Sequence, residues 1–134
     1  MTVIGVDDTD SRTRGMCTTY LATRVAASLR AGGASVSRTL LIRLNPAVEH
    51  KTRGNAALAI HTDADADHAL SVAAAELTPL AETDDPRTSP GVVVAPGDPD
   101  DVPTPVQSFS RRAVRDILDR ETAVEVAERA GYRT

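Results

Sequence analysis

The sequence predicts an α+β domain of β-α-β-β-α-β order, either ferredoxin-like or a related mixed sheet with its helices on one face, followed by a C-terminal pair of short helices. Three observations predict it. Four short runs suited to strands recur along the chain, two segments of helical periodicity separate them, and 134 residues suffice for one core of ordinary size.

Residues 2–6 (TVIGV) form the first strand and run into the acidic cluster Asp7, Asp8 and Asp10. Over 17–30, Leu21, Val25 and Leu29 recur at i, i+4 and i+8, and Gly32-Gly33 ends that helix. The second strand spans 35–44, and Asn45-Pro46 opens a loop to residue 53. Residues 55–62 (NAALAIHT) give the third strand. Asp65 or Asp67 caps the second helix, whose stripe is Leu70, Ala73, Leu77 and Leu80. After a loop at 82–90 come the fourth strand at 91–95 and a Pro/Asp-rich loop at 96–105. Two helices close the pattern, at 109–118 and 120–130, with Asp119 as cap and Gly131 as stop. The division this implies is an α+β unit over 1–95 and a loop with a helical tail over 96–134.

Composition narrows the class. Aromatic residues are only 2% of the chain, so the core must be built from small aliphatic side chains. No run approaches the roughly 18 apolar residues that a membrane helix needs, and no secretory signal is visible, so a cytoplasmic protein is expected. Cys17 is the single cysteine, which excludes an internal disulfide or a multi-cysteine zinc site within these residues. The net charge of -4 is unevenly spread: residues 1–60 hold eight basic and four acidic side chains, whereas residues 61–110 hold one and ten.

Four constellations carry chemistry. Asp7, Asp8 and Asp10 repel one another unless a cation or several donors hold them, and hard carboxylate oxygens suit Mg²⁺; the plainer alternative is a solvated turn. Gly15-Met16-Cys17-Thr18-Thr19 leads into a helix whose free N–H groups and positive dipole end favour an anion, although any of the last three residues could simply cap it. Lys51-Thr52-Arg53-Gly54-Asn55 joins the only lysine to an arginine and a glycine, a combination suited to phosphate without being a Walker A loop; the plainer alternative is a basic loop entering a strand. Arg111, Arg112 and Arg115 cluster on the first tail helix, as a solvated face or as a contact for RNA phosphates.

The blocks IGVDDTDS, GMCTTYLA, IRLNP, KTRGNAALA, GVVV and RRAVRD, taken in order, resemble the archaeal agmatinylcytidine synthetase family that modifies the minor isoleucine tRNA. The resemblance implies an ATP- and Mg²⁺-dependent ligase that activates the wobble cytidine at C2 and joins agmatine there, so that AUA is read. It implies that residues 1–95 are a nucleotide-binding, kinase-like domain in which Thr18 is the phosphoryl acceptor and Asp7, Asp8 and Asp10 are metal ligands or base. Gly15, Thr18, Thr19 and Lys51, Thr52, Arg53, Gly54 and Asn55 then bind nucleotide, and Arg111, Arg112 and Arg115 bind RNA. The family continues with a ferredoxin-like domain, an OB-fold and a zinc ribbon, so this chain corresponds to the N-terminal region. The alternatives are a non-catalytic RNA-binding module, or a phosphatase-like domain with Asp8 as nucleophile.

Overall fold

A computed structural model describes residues 1–7, 18–43, 56–80, 91–115 and 120–134. The described elements, in order, are β1 (Thr2–Asp7), α1 (Thr18–Ala31), β2 (Val36–Arg43), β3 (Ala56–Thr62), α2 (Ala66–Leu80), β4 (Gly91–Pro96), α3 (Thr104–Arg115) and α4 (Arg120–Arg129). The sheet order is β2-β3-β1-β4 and every neighbouring pair is antiparallel. Of the two arrangements the element order allowed, the molecule adopts the antiparallel, ferredoxin-like one.

Alternation along the strands places the core. Ile4 lies opposite Ile60 on one side and Val94 on the other, and all three are fully buried. Leu21, Val25 and Leu29 of α1 meet this row, as their spacing required, together with Ala69 and Ala73 of α2. Complete burial of a Leu or Ile side chain contributes about 1.5–3 kcal/mol, so these few residues supply much of the stabilisation of a core without aromatic rings. Leu70 and Leu77 are only half-buried, because the alanine stripe of α2 takes the closest positions. Gly5 serves the sheet differently: a Cβ there would lie 3.1 Å from Cγ1 of Val93 on the neighbouring strand.

Both glycine stops act through the left-handed conformation. At Gly33 (φ +95°) the N–H bonds Arg30 O and the Ala34 N–H bonds Leu29 O, which closes α1. Gly131 (φ +83°) ends α4 in the same way, with Tyr132 N–H on Ala127 O. Asp65 caps α2 through its Oδ1 on the His68 N–H (3.0 Å).

The start of the first tail helix requires a correction. Periodicity places it at residue 109, after a loop to 105, but α3 begins at Thr104. The Pro103 carbonyl accepts the N–H groups of Val106 and Gln107, and Gln107 Nε2 donates to Val102 O (2.8 Å). Pro105 falls in the first turn, where its missing N–H is not needed. The expected end of that helix, and Asp119 as a cap, lie outside the described residues. Beyond Gly131 the chain returns to the sheet: Arg133 exchanges backbone hydrogen bonds with Val94 on the β4 edge, and its Nε donates to Asp67 Oδ1 (2.9 Å).

Candidate functional site

The strand registers gather one end of the sheet. Asp7, the last residue of β1, pairs with Gly91, the first of β4, while Arg43 at the end of β2 pairs with Ala56 at the start of β3. The chain therefore leaves β1, leaves β2, and enters β3 and β4 at a common edge. α1 connects β1 to the parallel but non-adjacent β2, so its first turn at Thr18 lies at this same end. The flanks of the acidic segment, of the Lys51–Asn55 segment and of α1 thus converge, although Asp7 and Arg43 are far apart in the chain. Side-by-side strands are what bring them together.

Backbone chemistry at α1 suits an anion. The first turn contains no acidic residue, so nothing on the helix itself offsets the partial positive charge of its N-terminus. Thr18 opens the helix and Thr19 follows it, about 100° farther around the helix axis. Of the predicted site residues, the structure brings Asp7, Thr18 and Thr19 to this end by their backbone positions. Asp8, Asp10, Gly15, Lys51, Thr52, Arg53, Gly54 and Asn55 lie outside the described residues. Among those described, no group of three or more His, Cys, Asp or Glu side chains could hold a metal ion. Arg111 and Arg112 are exposed on α3, and Arg115 is its last residue.

The position of α1 is fixed by a polar clamp that spacing did not reveal. Ser28 Oγ donates to Glu76 Oε1 (2.7 Å), and Arg24 Nε donates to Glu76 Oε2 (3.2 Å), joining α1 to α2. The Ser28 hydrogen bond, reinforced by Arg24, holds the Glu76 carboxyl below the usual carboxylate range against the opposing effect of its partial burial. The Arg24 guanidinium is correspondingly raised by Glu76, with a smaller contribution from Tyr20 beside it. Tyr20 also escaped the motif reading, although it is the one ring in the GMCTTYLA block; it stands 49% exposed in the first turn of α1.

The opposite end of the sheet is tied by the chain's own groups. Thr62 Oγ1 donates to Ser35 O (2.7 Å) and accepts the Ala64 N–H (3.2 Å), while Thr2 Oγ1 donates to Ala64 O (2.7 Å). Asp63 Oδ1 accepts the Ser35 N–H (2.8 Å), and Gly97 N–H bonds Met1 O (2.8 Å).

Comparison with known proteins adds the family. The model of the TiaS TCKD domain matches residues 3–64 and 61–134. The isoleucine-tRNA 2-agmatinylcytidine synthetase TiaS of Haloquadratum walsbyi is 53% identical over 133 residues, which is 98% of this chain and 29% of that protein. The synthetase of the same name from Pyrococcus horikoshii is 37% identical over 96% of this chain and 30% of its own length. Among solved structures, a complex of TiaS with its isoleucine tRNA and ATP superposes with a TM-score of 0.80 at 34% identity, covering 98% of this chain and 31% of that one. A complex of TiaS with the same tRNA, AMPCPP and agmatine gives 0.78 at 30% identity, with 98% and 31% covered. The chain thus spans about 30% of the length of the relatives it matches.

Proposed function

The chain belongs to the TiaS TCKD domain family, and from that premise we propose that it is the ATP- and Mg²⁺-dependent phosphoryl-transfer domain of an enzyme that joins agmatine to C2 of the wobble cytidine of the minor isoleucine tRNA. The observation that carries this reading is the convergence of Asp7, the first turn of α1 and the flanks of the basic segment on one end of the sheet. Its ligands follow from solved relatives whose complexes hold ATP or AMPCPP, an isoleucine tRNA and agmatine.

The roles of individual residues follow from their chemistry. Asp8 and Asp10 would hold Mg²⁺, with Asp7 as a further ligand or as base; an all-oxygen donor set that leaves positions for water and phosphate fits this ion. Bound there, the metal would neutralise charge on the phosphates. Thr18 is the acceptor hydroxyl: its oxygen would attack the γ-phosphorus of ATP, the bond from that phosphorus to the β–γ bridging oxygen would break, ADP would leave, and the hydroxyl proton would pass to an aspartate of the acidic segment. The N–H groups of the first α1 turn, with Gly15 and Thr19, cradle phosphate. Lys51 and Arg53, in the segment that continues through Thr52, Gly54 and Asn55, would stabilise charge on the transferring group. Arg111, Arg112 and Arg115 contact RNA phosphates, and the ferredoxin-like, OB-fold and zinc-ribbon domains of the longer protein read the tRNA.

Calorimetry with ATP, with and without Mg²⁺, tests this directly. Binding should require the metal and should disappear in Asp8→Asn and Asp10→Asn. Because removing one of several like charges relieves repulsion, the metal-free thermal stability of both variants should hold or rise slightly. A large loss of metal-free stability would make the aspartates turn residues instead of ligands.

A further inference from the structure

We propose that Tyr20 is a stacking platform for a nucleobase of the ligand held at this end of the sheet, either the base of the bound nucleotide or an unstacked base of RNA. The proposal rests on the reading above and adds to it a residue and a recognition mode. Tyr20 is not needed for the core: α1 buries Leu21, Val25 and Leu29, whereas Tyr20 is 49% exposed. Phe109 and Tyr132, the remaining aromatic residues of the chain, are only half-exposed, so Tyr20 presents the most open ring.

Its place is suited to a ligand lying across the start of α1. Tyr20 is two residues past Thr18, about 3 Å farther along the helix axis and on the side turned away from the sheet. Phosphates held over the helix end therefore leave a base within reach of the ring. Arg24, one turn on, is bound to Glu76 at 3.2 Å, so its guanidinium charge is already shared. A nucleobase is the matching group, because every base offers a π-face to an aromatic side chain.

The chain has no tryptophan and two tyrosines, so tyrosine emission reports on the site once Tyr132→Phe leaves Tyr20 as the only emitter. That protein is titrated with ATP, inorganic triphosphate and a short unpaired RNA oligomer. ATP or RNA should quench the emission saturably and triphosphate should not; the arm that quenches identifies the source of the base. Tyr20→Leu should weaken binding of the quenching ligand by about five- to a hundred-fold, while Tyr20→Phe retains it. The proposal is overturned if neither ligand quenches, or if Tyr20→Leu binds both as tightly as the parent. Failure of the phosphoryl-transfer reading has another signature: base-dependent quenching persists, but ATP binding is indifferent to Mg²⁺.

Discussion

The two ends of the sheet are built on different principles. At the end where β1 and β2 begin, Thr2, Thr62 and Asp63 use their side chains on backbone groups of Ser35 and Ala64, and Gly97 binds Met1. That end is also acidic in sequence, with Asp63, Asp65 and Asp67 after β3 and Asp98, Asp100 and Asp101 after β4. At the other end, β1 delivers Asp7, α1 begins without an acidic residue, and β2 finishes on Arg43. Folding chemistry is thus concentrated where short loops join α1 to β2 and β3 to α2. Ligand chemistry is expected where the longer connections join.

The largest expected effect separates these two ends. Under the phosphoryl-transfer reading, Thr18→Val should abolish labelling of the chain by γ-labelled ATP with Mg²⁺, whereas Thr19→Val should remain labelled. Valine keeps the shape of threonine and removes only the hydroxyl. Thr18→Ser should retain part of the label. Mass analysis of the labelled peptide decides the assignment: label in Thr18→Val equal to wild type moves the acceptor elsewhere, and label on Asp8 revives the phosphatase-like alternative.

The mirror experiment is Thr62→Val. It removes a buried hydroxyl and leaves Ser35 O and Ala64 N–H without that partner, so the fold should lose about 1–3 kcal/mol in denaturant unfolding. Mg²⁺–ATP affinity of the folded protein should be unchanged. A variant that loses affinity with unaltered stability would break the division between the two ends.

How far the sequence reveals each region depends on the range of the forces that shape it. β1, α1 and the stops at Gly33 and Gly131 were legible because periodicity and positive φ are local properties. The Asp65 cap was one of two candidates, and Asp67 turned out to serve Arg133 instead. The start of α3 is not legible in the same way, because Pro103 and Pro105 punctuate a loop as readily as they open a helix, whose first turn tolerates them. The pairing of β1 with β3 and β4, the Glu76 clamp and the return of Arg133 to Val94 join residues distant in the chain, and no spacing rule encodes such contacts. For the site, the residue types pointed to metal and phosphate, while only the registers showed that their flanks share an edge. The Arg133–Asp67 pair tests the weakest of these long-range ties: it is substantially exposed, so Arg133→Ala should cost roughly 0–1 kcal/mol in thermal or denaturant unfolding.

The smallest expected effect concerns pH, and it discriminates between charged and neutral fastenings. Glu76 is held below its ordinary value of 4.5, first by the Ser28 hydroxyl and then by Arg24. A carboxylate whose folded pKa is depressed contributes stability that is full above the unfolded value and is lost as pH falls through the folded one. The α1–α2 clamp should therefore be intact at neutral pH and weaken only below about pH 4.5, with Arg24 charged throughout. The threonine bonds at the opposite end do not titrate in this range. Glu76→Gln supplies the control, because its amide oxygen can still accept from Ser28 while the charge is gone. Thermal melts should show wild type slightly more stable than Glu76→Gln at about pH 7, with the gap closing by about pH 3. A gap of equal size at both values would mean that shape, and not charge, makes Glu76 hold α1. Thr62→Val should behave oppositely, its deficit persisting across the same range.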